Sequence, residues 1–384
     1  MSLADVFAAA LERLLPPGLP PRLAVAVSGG ADSSALALLA RDYCVSRGGA
    51  LMALIVDHGL RAESADEARL TALRLIEQDI PSKILNLNLR PGAAMQARAR
   101  LARHEALAQA AMAAGFVHLA MGHHRDDQRE TVAMRARRGF GGGEGMASWS
   151  ARNDVVLIRP LLETPACSLR EFLQEKEVEW VEDPSNHSCK FERVRIRQAG
   201  EGVPPLSAAG RMAQELEIAD FLARHVRLYP EGYAVLDAAF ASPAALGALL
   251  RTIGGRRYMP RREALSRLAQ KLCSATLGGV RIVPAGRLGA GWLLAREPAA
   301  CAPPVPAVPH AMWDGRFVLD AKPLGARSIG ALGRDAARFR GFRGLPSLVL
   351  CGLPALRYAD GALCFPAPAA FIPPMPATAR PFQA

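Results

Sequence analysis

The chain has 384 residues, half of them hydrophobic, and carries 47 Lys and Arg against 36 Asp and Glu, for a formal net charge of +11. That composition excludes a disordered or fibrous chain, and the absence of any run of about 18 uninterrupted apolar residues excludes a hydrophobic membrane helix. The length exceeds one ordinary core and predicts two or three domains, while the positive charge predicts a polyanionic partner.

Taken in chain order, the first predicted element is a strand over Leu23–Val27, uninterrupted in its apolar residues and so suited to a parallel sheet covered on both faces. It runs directly into Ser28-Gly29-Gly30-Ala31-Asp32-Ser33 and a helix from Asp32 to about Arg41. The glycines let the backbone approach a ligand, and the unpaired N–H groups of the helix start attract an anion. A Walker loop would require a Lys after its glycines, and a dinucleotide fingerprint would require Gly-x-Gly-x-x-Gly; both are absent. Asp32 stands in their place, an acid that suits a phosphate site only when a metal ion separates the charges. The six residues look like the pyrophosphatase loop of N-type ATP enzymes, which split ATP to AMP and pyrophosphate.

Further buried strands are predicted over Leu51–Val56, ending in Asp57-His58-Gly59-Leu60-Arg61, and over Phe116–Met121, ending in Gly122-His123-His124. In an open parallel sheet the crevice lies beyond the carboxyl ends of the strands, so these clusters and the Ser28 loop should converge. Asp127 and Glu130 follow, three apart at a helix start, where they can share a face and hold one cation or ammonium group; the plainer alternative is acids favoured by the helix dipole. Between these strands, Arg98, Arg100 and Arg103 read either as site residues or as a helix surface. The stretch Gly139–Gly145 reads as a glycine-rich loop over the site or as filler.

Beyond about Pro205 the pattern is mainly helical to 297, with Arg251, Arg256, Arg257, Arg261 and Arg262 around Tyr258 as either RNA contacts or a solvated face. Prolines over 298–309 read as a stiff spacer. A small β-rich module is predicted for 310–370, with Arg334, Arg338, Arg340 and Arg343 as a second basic strip, and a loose tail for 371–384. All but five of the basic residues are Arg; genomic base composition explains that ratio but not the sign of the net charge. The seven cysteines are scattered and never in Cys-x-x-Cys spacing, which fits neither a disulfide framework nor a zinc site. With no basic and then apolar leader over Met1–Ala10, the expected location is the cytoplasm.

Together, Ser28–Ser33, Val56–Arg61, Arg100 with Arg103, Gly122–His124, Asp127, Glu130-Thr131, Arg137-Arg138-Gly139, Arg159–Leu162, and Trp180 with Glu182–Asn186 resemble the bacterial tRNA(Ile)-lysidine synthetases, over Ser28 to about Arg197. Val194 departs from the family's usual Arg-Asn-Arg-Ile-Arg. The resemblance implies an α/β fold with a doubly wound, mostly parallel sheet over 1–200, of the PP-loop ATP pyrophosphatase type, followed by a helical, tRNA-contacting domain over 205–297 and the small module. It implies ATP and Mg²⁺ as cofactors, tRNA(Ile) and L-lysine as partners, and a possible homodimer. By the same resemblance, Ser28 to Ser33 hold the pyrophosphate with Asp57 and His58 lining the crevice, Asp32 binds Mg²⁺, Asp127 and Glu130 receive lysine, and His123 and Arg103 lie against the substrate or the α-phosphate. Two other readings stay open from the residues: another PP-loop enzyme, such as a tRNA thiolase or an amide-forming ligase, and a non-catalytic nucleotide- or RNA-binding protein. The missing cysteine pair and missing glutaminase domain speak against the former, and Asp32, Asp127 and Glu130 together against the latter.

Overall fold

In the computed structural model, the described residues are 2–59, 64–87, 95–137, 145–151, 155–181, 207–237, 241–256, 258–320 and 325–373. They form two compact units, divided between Arg211 and Met212. Among them no helix is long and apolar enough to cross a membrane.

Unit one holds helices α1 (Leu3–Leu14), α2 (Ala31–Val45), α3 (Ser64–Glu77), α4 (Met95–Ala113), α5 (Arg125–Arg137) and α6 (Ala166–Glu175). Its strands are β1 (Arg22–Val27), β2 (Ala50–Asp57), β3 (Ser82–Asn86), β4 (His118–Ala120), β5 (Trp149–Ala151) and β6 (Val156–Ile158). They make one sheet in the order β3-β2-β1-β4-β6-β5. All pairs are parallel except the β5–β6 edge.

The apolar run of β1 is explained by its two covered faces. Leu23, Val25 and Val27 join the α1, α2, α3 and α6 side, where Phe7, Leu36, Ala68 and Leu169 are buried. Ala24 turns to the α4 side with Leu54, Leu107 and Leu119. Strand alternation thus distributes one apolar run into two cores. The chain proceeds outward from β1 through β2 to β3 and then returns to place β4 on the other flank of β1. The order reverses between β1 and β4, the position at which open α/β sheets form their ligand crevice.

Unit two contains α7 from Met212 onward (the helix spans Ala208–His225), α8 (Pro243–Gly254), α9 (Arg262–Gln270) and the short α10 (Ser347–Cys351). Strands β7 (Val226–Tyr229), β8 (Tyr233–Leu236), β9 (Ala275–Leu277), β10 (Val280–Pro284) and β11 (Trp292–Arg296) form an antiparallel sheet in the order β7-β8-β11-β10-β9. The segment read above as mainly helical therefore also carries five strands. Those strands are three to five residues long, too short to show a period of two beside the clear helical periodicity of α8 and α9.

This sheet also has two covered faces. Ala234, Leu236, Ile282 and Leu294 meet the helices, whereas Tyr233, Val235, Leu293 and Ala295 share a core with Trp313, Phe317, Ile329 and Leu356. The latter residues belong to β13 (Met312–Trp313), β14 (Phe317–Leu319), β15 (Ala326–Ala331) and β16 (Pro354–Tyr358). Residues 298–309, read as a spacer, run within this unit as a 3₁₀ turn at Pro298–Ala300 and strand β12 (Val305–Pro306), which pairs with β15. The Trp313–Arg316 turn has Asp314 and Gly315 at φ 55° and 64°, and Arg316 N–H closes it onto the Trp313 carbonyl. That is the type I′ geometry for which Asp-Gly is suited.

A buried ion cluster ties these layers together. Asp314 accepts from Arg296 Nε at 2.9 Å and Nη2 at 2.8 Å, and from Arg316 Nε at 2.9 Å. The remaining guanidinium protons reach backbone: Arg296 the Gly279 and Ala300 carbonyls, Arg316 the Gly352 carbonyl at 3.2 Å. Both Asp314 and Arg316 side chains are 1% exposed.

Candidate active site

The Ser28 loop is braced from within. Ser33 Oγ accepts the Ser28 N–H at 3.1 Å and donates to the Gly30 carbonyl at 3.0 Å, so Ser33 shapes the loop with a hydroxyl that is itself buried. Gly30 is the N-cap of α2, and no side chain caps that helix. Its first-turn N–H groups are the donors on offer, with the positive end of the helix dipole behind them.

Gly29 sits at φ 85°, and a Cβ there would lie 2.5 Å from Thr71 Oγ1 of α3. Its carbonyl accepts from Val181 N–H at 2.8 Å. A Gly29→Ala change therefore combines left-handed strain with a clash. We expect a loss of about 1–3 kcal/mol of stability together with weaker ATP binding, read by thermal melting and nucleotide titration; an alanine variant with unchanged melting and affinity would refute this account of the loop.

Asp32 stands in the first turn of α2. Its Oδ1 is buried and has no hydrogen-bond partner, and its Oδ2 lies 3.4 Å from His124 Nε2. A buried acceptor without a donor suits a cation. Among the described residues no cluster of three His, Cys, Asp or Glu side chains forms a metal cage, so a cation here would take this one carboxylate together with phosphate oxygens, the habit of Mg²⁺.

His124 ends the β4 turn and caps α5. Its Nδ1 accepts the Asp126 N–H at 3.2 Å, and its own N–H donates to Asp127 Oδ2 at 3.1 Å. The imidazole thus caps α5 through the second helical amide, while the third residue, Asp127, accepts the backbone N–H of His124. The ring is 5% exposed, and Nε2 lies 3.5 Å from Asp127 Oδ2. Burial works against a charged imidazole, yet the hydrogen bond with Asp32 and the charges of Asp127, Asp32 and Asp126 hold its pKa above the usual 6.5. Asp126 accepts Ala166 N–H at 3.1 Å and so fixes the start of α6.

The described site residues singled out from sequence fall as follows. Ser28, Gly29, Gly30, Ala31, Asp32 and Ser33 form the loop and the α2 start; His124 joins Asp32 to Asp127. Glu130 lies one turn on in α5, 3% exposed, and His123 is half-buried just before the cap. Asp57 is occupied structurally: Oδ1 accepts Ser64 Oγ at 2.6 Å and Gly59 N–H at 2.9 Å, and those bonds hold its carboxyl below the usual range. His58 is pushed down by burial and by the nearby Arg103 guanidinium, against the pull of Asp57, so Arg103 of α4 and His58 of the β2 end are neighbours. Leu60, Arg61, Arg138, Gly139–Glu144, Glu182–Asn186, Arg193–Arg197, Arg257 and residues 374–384 lie outside the described residues.

His124 and Asp126 escaped notice as acting residues. The signal was present: His124 with Asp127 three residues on is a cap-and-N3 pair, although Ser, Thr, Asp or Asn is the usual cap. Gln128 is another, its amide bonding both the N–H and the carbonyl of Met146 and thereby anchoring the chain to α5.

The PP-loop domain family matches residues 3–200. The tRNA(Ile)-lysidine synthase of Hyphomonas neptunium is 40% identical over 72% of this chain and 82% of its own length. The chain belongs to the tRNA(Ile)-lysidine synthase family. The Ruegeria pomeroyi synthase is 38% identical, over 82% of this chain and 80% of its own, and that of Rhizobium meliloti 35%, over 79% and 74%. The family match covers the Ser28–Ser33 turn, and the match to the relatives extends beyond unit one into unit two.

Proposed function

We propose that the chain joins free L-lysine to C2 of the wobble cytidine of tRNA(Ile), with ATP cleaved to AMP and pyrophosphate. Family membership carries the overall reaction. The single observation that supports its location is the juxtaposition of an uncapped α2 start, a partnerless Asp32 oxygen, and Asp127 reached through His124.

The C2 carbonyl of cytosine is a poor electrophile with a poor leaving oxygen, and adenylation corrects both faults. The carbonyl oxygen bonds to the α-phosphorus of ATP as the bond to pyrophosphate breaks. The neutral ε-amine of lysine then attacks C2, the C2–O bond breaks, and AMP departs with the oxygen. The α2 N–H groups and Ser28 stabilise the departing pyrophosphate. Asp32 would hold Mg²⁺, which when bound supplies charge neutralisation to the phosphates. Asp127 and Glu130 receive the ammonium of lysine and take the proton it must lose before attack. Arg103, with His58 beside it, and His123 are assigned to the substrate or the α-phosphate by the family resemblance. The basic surface of unit two, including Arg334, Arg338, Arg340 and Arg343, all exposed, supports contact with the RNA backbone.

Incubation of the purified chain with Mg·ATP, labelled lysine and unmodified tRNA(Ile) is expected to put label into the tRNA, with one AMP and one pyrophosphate formed per label. Release of ADP and orthophosphate, or label entering only with a sulfur donor, would reject this assignment.

A further inference from the structure

We propose that His124 is a positioning residue for the reaction: its single Nε2–H is shared between the phosphate-side carboxylate, Asp32, and the lysine-side carboxylate, Asp127, and sets their spacing and orientation. The inference rests on the roles assigned to those two acids above.

Asp32 and Asp127 belong to different helices, each in a first turn, and their facing oxygens lie 3.4 Å and 3.5 Å from one nitrogen. They are therefore no more than about 7 Å apart. Carboxylates that close repel, and the Nε2 of a buried ring lies within 3.5 Å of both. The proton is on that side because Nδ1 already accepts the Asp126 amide, so the hydrogen bonds select the tautomer.

Capping alone does not explain this arrangement. A helix cap needs one acceptor near the second or third helical amide, which a short Asn or Ser supplies. An imidazole 5% exposed, with its far nitrogen within 3.5 Å of two acids, does more than cap. The backbone is shaped to bring them together: a Cβ at Gly122 would come within 3.3 Å of the Asp32 carbonyl and the Ser33 Cα, so the end of β4 abuts the first turn of α2.

Two substitutions separate capping from bridging. His124→Asn keeps an acceptor for the Asp126 amide but is too short to reach the carboxylates. His124→Gln places an amide NH₂ near the Nε2 position and caps poorly. With the full chain, His124→Asn is expected to raise the KM for lysine and for Mg·ATP each about tenfold, as fits the loss of a hydrogen bond to a charged group, with the KM for tRNA(Ile) unchanged and melting within a few degrees of the parent. Its Kd for α,β-methylene-ATP with Mg²⁺, measured by calorimetry without turnover, should rise by the same factor. His124→Gln should restore most of both KM values while melting lower. Parent-like KM values for lysine and ATP in His124→Asn, or a fall confined to kcat, would overturn the proposal, as would His124→Gln behaving no better than Asn. If the parent chain itself forms no lysidine, the assignment of the reaction fails, which is a separate result.

Discussion

Replacing Asp314 by Asn is expected to destabilise unit two by about 3–5 kcal/mol, more than any single change in its apolar core short of a large truncation. The substitution keeps the size of the side chain and tolerates the left-handed φ of 55°, so what is lost is the charge and one acceptor oxygen, replaced by an NH₂ that faces guanidinium donors. What remains is two guanidinium groups, one of them 1% exposed, with no anion between them. Five backbone contacts, from Arg296 to Gly279 and Ala300, from Arg316 to Gly232 and Gly352, and from Ala302 N–H to Asp314, would remain or be weakened but could not neutralise the charge. Urea unfolding followed by fluorescence, to which Trp292 and Trp313 contribute, measures the loss. Converting Arg296, Asp314 and Arg316 together to apolar residues of similar volume should cost much less, because the penalty belongs to the orphaned charge rather than to the absence of an ion pair. An Asn variant as stable as the parent would refute this reading.

The same cluster gives a pH dependence with a defined sign. Burial pushes the Asp314 carboxyl up, but the hydrogen bond from Arg296 and the charges of Arg316 and Arg296 outweigh it and hold the folded value below 3.8. A depressed carboxyl contributes stability above its unfolded value and loses it as the pH falls through the folded one. The parent should therefore lose stability steeply below pH 3.8, whereas Asp314→Asn, already lacking the charge, should show a flatter decline at that site.

The second large effect is expected at Asp32. Asp32→Ala should lower kcat for lysidine formation by about 10²–10³-fold, the range found when one preorganised electrostatic contact to developing charge is removed. Folding should be nearly untouched: Oδ1 has no partner to lose, and Oδ2 gives up only a 3.4 Å contact with His124. Raising Mg²⁺ should recover part of the rate if the carboxylate contributes to cation affinity. Full activity in the alanine variant would remove the PP-loop carboxylate from the mechanism, and a large drop in melting temperature would assign it a structural role instead.

Much of unit one was legible in the sequence because its signals are local. The apolar run of β1, its glycine turn and the acid after it require no partner to be read, and each strand end carried its polar cluster in plain view. The roles within those clusters were decided by packing. Asp57 reads from the sequence as a crevice residue, and the structure adds that its Oδ1 accepts from Gly59 N–H and Ser64 Oγ. His123 and His124 are indistinguishable as neighbours in a chain; the turn into α5 buries the second and aims it at two acids.

Sequence alone determined that a glycine turn with an open helix start leads out of a buried strand, because glycine freedom and helix polarity are properties of the residues themselves. Only tertiary structure decided which charges share a site. The 3.4 Å approach of Asp32 to His124, and the two guanidiniums around Asp314, join residues from separate elements, and no period or propensity in the chain encodes the distance between elements that meet through their cores.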